Sequence, residues 1–187
     1  MQMEIRSSRA AQFRTVDNDG GAPQIEAYFA VFGDVYEMWP GCTESIDPHA
    51  FDDALTDDIR CLIDHDTTLV LGRTKAGTLR LAVDNYGLKG SVDINPDDSD
   101  AMNLYARVKR GDVSQCSFGF EILRDEMENR TDGTCHWIIK AVKLFEVSIV
   151  TFPAYEKTEA EARDRRKGQA FEIWKKRTKE RLNTHGT

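Results

Sequence analysis

The order of apolar runs predicts an α+β protein built on a mainly antiparallel sheet or barrel, rather than a parallel doubly wound one. Three observations carry this. Short runs with a period of two recur along the chain, turn clusters separate them, and one strongly helical segment is inserted before the last pair of runs.

Residues 3–32 alternate polar and apolar side chains in two pieces, split by the turn cluster Asp17-Asn18-Asp19-Gly20-Gly21. The second piece, Ile25 to Phe32, is apolar nearly throughout, as expected of a strand buried on both faces. Asp47-Pro48 supplies a cap and a first-turn proline for a short helix that puts Ala50, Phe51, Ala54 and Leu55 on one face. Arg60–His65 and Leu69–Gly72 read as short strands. Thr78–Val83 and Gly87–Ile94 read as a hairpin about Asp84-Asn85-Tyr86-Gly87.

The helix signal is strongest after Asn95-Pro96. Ala101, Leu104, Tyr105 and Val108 recur at helical spacing, acids occupy the first turn, Arg107, Lys109 and Arg110 the last, and Gly111 stops it. Val113–Leu123 and Trp137–Val150 follow as strands joined by a polar connection over 124–136. Beyond Pro153 the composition turns to Glu, Lys and Arg at helix-forming spacing. The expected organisation is a folded body over 1–155 and a charged, helical, loosely attached tail over 156–187.

Length and composition bound the function. A chain of 187 residues with 40% hydrophobic content suits one ordinary domain, and no run approaches the ~20 apolar residues of a membrane span. The first residues lack the apolar segment of a signal peptide, so a cytoplasmic location is expected. Residues 163–181 carry nine Lys/Arg against three acids, so of the net −7 this segment holds +6 and the rest −13. An acidic body argues against duplex nucleic acid as the main partner. The basic segment reads as a solvated helix, with an acidic scaffold or packaged DNA as a possible contact. Cys42, Cys61, Cys116 and Cys135 show no paired spacing, so free thiols are expected, with neither a disulfide framework nor a zinc site.

Strand parity singles out candidate chemistry. In 116–122 the residues Cys116, Phe118, Phe120 and Ile122 share an apolar face, so Ser117 points the other way with Gly119 leaving space beside it. In the last strand Trp137, Ile139, Ala141, Phe145, Val147 and Ile149 share one face, and Glu146 and Ser148 the other. A carboxylate inside so apolar a run is costly to bury without a partner. His65 follows an apolar run and stands between Asp64 and Asp66, which could orient its ring. A serine, a base and a group that fixes the base's tautomer make a nucleophilic site, and Ser117, His65 and Glu146 supply those parts. The bland alternatives are a surface His65 linked to Asp66, a solvent-facing Ser117, and a Glu146 paired across strands with Lys140 or Lys143. Cys116, by its parity, is core filling.

The succession Glu26-Ala27-Tyr28-Phe29-Ala30-Val31-Phe32, Asp47-Pro48-His49-Ala50-Phe51, Asp64-His65-Asp66 with Leu71-Gly72-Arg73, Gly87-Leu88, Ser114 to Phe120 and Leu144 to Tyr155 resembles the tailed-bacteriophage prohead protease family in order and spacing. The resemblance covers 25–155. It implies the fold of the herpesvirus maturation proteases, a mainly antiparallel β-barrel flanked by helices. It also implies that Asp64-His65 is the base motif and Cys116-Ser117-Phe118-Gly119 the nucleophile strand, favouring Ser117 over Cys116 and Ser114. The third member is then Glu146, with His136 as its rival. The implied activity is that of a serine endopeptidase that cleaves the scaffold part of the major capsid precursor, and itself, inside the prohead in the host cytoplasm. No cofactor or metal is implied. Partners are the capsid precursor with its scaffold domain and, since the herpesvirus relatives dimerise, further copies of the chain; neither a membrane nor a specific nucleic acid is expected. A catalytically silent assembly factor of the same fold is the competing function. Metal-dependent hydrolysis through Asp64, His65, Asp66 and His136 lacks a recognised ligand spacing.

Overall fold

Apolar alternation does most of the architectural work. The structure is a computed structural model that describes residues 3–8, 12–16, 23–131 and 133–152, so the tail expected over 156–187 lies outside the described residues. Its strands are β1 (Glu4–Ser8), β2 (Phe13–Val16), β3 (Gln24–Val31), β4 (Tyr36–Trp39), β5 (Cys42–Ile46), β6 (Arg60–Ile63), β7 (Asp66–Arg73), β8 (Leu79–Val83), β9 (Gly87–Asp93), β10 (Gln115–Asn129) and β11 (Cys135–Val150), with helix α1 (Ser99–Arg110) before the last two. They form two sheets. The smaller runs β2-β3-β9-β8 and is antiparallel throughout. The larger runs β1-β10-β11-β5-β4, with β6 and β7 attached through β11.

The long strand β11 organises the larger sheet. One edge pairs antiparallel with β10 along its whole length. The other edge takes two parallel partners end to end, β5 against Cys135–Ile139 and β6 against Glu146–Ile149. Because β11 forks the sheet in this way, the pairings leave two open sheets among the described residues and not the closed antiparallel barrel that was expected.

The core lies between the sheets and under α1. Ile25, Ala27 and Phe29 of β3 share one buried cluster with Cys116, Phe118 and Phe120 of β10 and Val147 and Ile149 of β11. The Phe118 and Phe120 rings stack at 4.9 Å, and Phe51 meets Phe118 edge-on at 5.8 Å. Helix α1 seals one side with Ala101, Leu104, Tyr105 and Val108. The Asp98 side chain accepts from the N–H groups of Asp100 and Ala101, and Gly111 closes the far end at φ 88°.

Several expectations change. The first piece is two strands in different sheets, since β1 pairs with β10 and β2 with β3. The helix expected after Asp47 is a run of i to i+3 turns ending in a 3₁₀ turn at Ala54–Thr56. Ala50, Phe51 and Ala54 are buried by those turns all the same. Parity in β11 also slips. Bulges near Ala141 and Phe145 put Val142 and Leu144 on the core side, with Phe145 left out of the ladder.

The cysteine expectation fails at one pair. Cys42 and Cys135 are joined by a disulfide with their Cα atoms 4.6 Å apart, whereas Cys61 and Cys116 are free and buried. They meet because they stand directly opposite each other in the parallel β5–β11 register. A separation of 93 residues gives no sequence signal of that.

Candidate functional site

Strand β6 stops at Ile63, and Ile63 pairs with Asp66 at the start of β7. A two-residue hairpin loop, Asp64-His65, therefore presents the histidine, instead of the continuous strand over 60–65 that was expected. Both loop residues have positive φ, 48° and 61°, and among the described residues no other non-glycine residue does. That is the backbone of a type I′ turn, where Asn-Gly is usual. Holding non-glycine residues there costs of order 1–3 kcal/mol each, so the surroundings must impose it.

Three contacts hold the loop. The Asp64 N–H donates to the Ile149 carbonyl at 3.0 Å. The Asp64 carboxylate accepts from the Thr151 N–H at 2.7 Å and from its Oγ1 at 3.0 Å. On the other side, Asp66 Oδ1 accepts from the Thr68 N–H at 2.8 Å and Oγ1 at 2.7 Å, which holds the Asp66 carboxyl below its usual range. Neither flanking acid contacts the imidazole through a hydrogen bond. The ring is half-buried and reaches Glu146 instead, Nδ1 to Oε1 at 2.8 Å.

Glu146 is 5% exposed in the middle of the sheet. Its second oxygen, Oε2, accepts from the Ser148 hydroxyl at 2.6 Å. Space for the carboxyl comes from Gly119, directly opposite on β10, where an added Cβ would lie 2.4 Å from Oε1. Both carboxyl oxygens thus accept, the arrangement that places a proton on His65 Nδ1 and leaves Nε2 as the acceptor of the neutral ring. Among the described residues Nε2 has no hydrogen-bond partner.

Ser117 lies on the same face of the sheet. It is directly opposite Ser148 and two residues from Gly119, and cross-strand neighbours share a face. On its other side it faces Ser7 of β1. The residue is fully buried, and its hydroxyl donates to the Arg6 carbonyl at 2.9 Å, not to His65. Arg6 is anchored by Glu44, with Nε on Oε1 at 2.5 Å and Nη2 on Oε2 at 3.0 Å, and Tyr36 donates to the Ser7 carbonyl at 2.6 Å. The structure therefore joins His65 to Glu146, brings Ser117 onto their face of the sheet, and leaves its hydroxyl engaged elsewhere.

The rivals lie apart from this set. His136 stands ten residues before Glu146 on the same strand, ~30 Å at ~3.3 Å per residue. Both its ring nitrogens meet hydroxyls, Nδ1 with Thr43 Oγ1 at 2.8 Å and Nε2 with Ser45 Oγ at 2.9 Å. Cys116 points into the core, fully buried, where desolvation pushes its thiol well above the ordinary value and suppresses the thiolate. Asp64, Asp66 and His136, grouped with His65 in the metal reading, each have separate partners. Sequence reasoning did not give roles to Ser148 and Thr151. The signal for Ser148 was its i, i+2 spacing from Glu146; nothing local pointed to Thr151.

Comparison with known proteins bears on what this arrangement does. A family model described as caudovirus prohead serine protease matches residues 9–172. The chain is similar in fold to the capsid assembly protease gp21 of bacteriophage T4, with a TM-score of 0.52 and 13% identity over 81% of this chain and 98% of that one. At that identity the likeness concerns the fold. No curated protein sequence matches. Among the described residues, no helix is long and apolar enough to cross a membrane.

Proposed function

Because the chain belongs to the caudovirus prohead serine protease family, we propose that Ser117, His65 and Glu146 form its catalytic set and that it cleaves the scaffold part of a major capsid precursor. The observation that carries this is the 2.8 Å contact of His65 Nδ1 with the buried Glu146, on the face of the sheet that also bears Ser117.

The chemistry follows from those groups. Ser117 turns from the Arg6 carbonyl toward His65 Nε2, which takes its proton as Oγ attacks the peptide carbonyl carbon. The imidazolium so formed is stabilised by Glu146. It returns the proton to the leaving amine as the C–N bond breaks, and a water activated by the same nitrogen hydrolyses the ester. The body over 1–155 is the protease domain, and the tail over 156–187 is a region for self-cleavage or docking on the precursor. The working location is the prohead in the host cytoplasm, with self-association into a dimer or larger assembly.

Co-expression with a capsid precursor tests the assignment. Ser117→Ala and His65→Ala should each abolish processing, and processing that survives Ser117→Ala removes the nucleophile. A second reading, a silent assembly factor, is favoured by one observation: Ser117 is fully buried and bonded to Arg6. A fluorophosphonate separates the two, since covalent labelling of Ser117 in the parent chain is incompatible with silence.

A further inference from the structure

The strained loop that carries His65 is tied to β11 by a contact that touches no reacting group. Asp64 and His65 adopt positive φ at a hairpin position that glycine ordinarily fills. The Asp64 carboxylate takes both hydrogen-bond donors of Thr151, just beyond the end of β11, while the Asp64 N–H is held by Ile149 within that strand. Glu146, which receives the imidazole, sits on the same strand. Base and acceptor are thus referenced to one rigid element through two attachments, one on each side of the ring.

From this we infer that the Asp64–Thr151 clamp is the positioning device of the site. Asp64 and Thr151 are positioning residues, and their function is to hold His65 in the left-handed turn that aims Nδ1 at Glu146. The inference rests on the proposed role of His65. Asp66 provides an internal comparison, because its carboxylate makes the same pair of bonds, but to Thr68 within the exposed start of β7. Those bonds tie the hairpin to itself and leave the base unaligned to β11.

The test measures covalent labelling of the full chain by a fluorophosphonate across reagent concentrations, alongside urea unfolding. Asp64→Gly removes the carboxylate but lets the backbone keep its positive φ without steric cost. Its urea midpoint should stay near the parent's while maximal labelling slows ~100-fold, the penalty for about 1 Å of misplacement. The apparent affinity for the reagent should hold. Thr151→Val should slow labelling about tenfold, Thr151→Ser should restore the parental rate, and Asp66→Ala should leave it unchanged.

Parental labelling in Asp64→Gly and Thr151→Val, with none in His65→Ala and Ser117→Ala, would overturn the clamp and leave the proposed function standing. Labelling losses that merely follow the urea midpoint would overturn it too, by showing a purely structural contact. Undiminished labelling in His65→Ala and Ser117→Ala would instead remove the proposed function, and the clamp's role with it.

Discussion

Adding a single methyl group at Gly119 tests whether the His65–Glu146 contact matters. Gly119 has ordinary strand backbone, so alanine costs nothing in φ, but its Cβ would lie 2.4 Å from Glu146 Oε1, 3.1 Å from Cδ and 3.2 Å from Cγ. An ordinary carbon–oxygen contact is nearer ~3.4 Å, so the carboxyl must retreat by about 1 Å. It is 5% exposed and its Oε2 is held by Ser148, so it has little room to yield without losing a bond. A retreat of that size stretches the 2.8 Å contact to His65 beyond hydrogen-bonding range. Losing a charge-assisted bond costs ~1.5–3 kcal/mol, and if His65 is the proposed base, an imidazole that drifts by about 1 Å once freed from Glu146 loses ~100-fold in rate. The control is Gly90→Ala in the other sheet, whose Cβ would meet Phe29 Cε2 at 2.4 Å and Leu81 Cδ2 at 2.9 Å. Both variants should lose stability by ~1–3 kcal/mol from overpacking. Only Gly119→Ala should lose fluorophosphonate labelling and precursor cleavage, each measured per folded molecule with the folded fraction taken from urea titrations. If the two variants retain equal activity, the contact is not part of the site.

Other outcomes follow from single contacts. Ser148→Ala removes the donor to Glu146 Oε2 while leaving Ser117 untouched, and should lower the maximal cleavage rate about tenfold with a small change in KM, as read by steady-state kinetics. Reducing Cys42–Cys135, or Cys42→Ser, opens a cross-link between residues 93 apart and should cost ~2–5 kcal/mol in urea unfolding while cleavage at low denaturant persists. Asp58, beside Arg73, has its carboxyl held down to about 2 from a usual 3.8. Its stabilisation is therefore fully present above the unfolded value and disappears as pH falls through about 2, so thermal melts of the parent and Asp58→Asn should differ near neutrality and converge at the acid end. Arg60→Ala removes a second cation 3.3 Å from Asp58 but leaves the Asp58–Arg73 bonds, the largest cause, in place, and should weaken that acid dependence without abolishing it.

Local pattern carried much of the fold. Helix α1 was legible to within a turn because cap, apolar spacing and terminating glycine agreed, and the β8–β9 hairpin because its turn residues stand between two alternating runs. Misreadings arose where one strand answers to several partners. Bulges near Ala141 and Phe145 shift parity without altering composition, so Phe145 looked like a core residue and Leu144 takes its place. β5 lies in a polar stretch and gains its position from pairing with β11, a relation that a period-two reading of 42–46 cannot supply. The Cys42–Cys135 bond is invisible for the same reason.

At the site, the sequence supplied the face but not the contacts. Parity alone placed Ser117 and Gly119 on one side of β10 and Glu146 with Ser148 on one side of β11, and the burial cost of a lone carboxylate correctly demanded a partner for Glu146. It also suggested that Asp64 or Asp66 would steer the imidazole, since they are its neighbours in the chain. In the structure those two side chains anchor the hairpin, and the hydrogen-bond partner of the ring, Glu146, comes from 81 residues away. The difference is geometric. In this two-residue loop with positive φ at both positions, the Asp64 carboxylate goes to Thr151, that of Asp66 to Thr68, and the ring to Glu146 on β11, so chain proximity did not reveal the partner of the ring. For the same reason the Ser117 hydroxyl could not be assigned an acceptor from sequence. Its observed acceptor, the Arg6 carbonyl, comes from a strand 111 residues away in sequence and is set by the β1–β10 pairing, which no local pattern around Ser117 encodes.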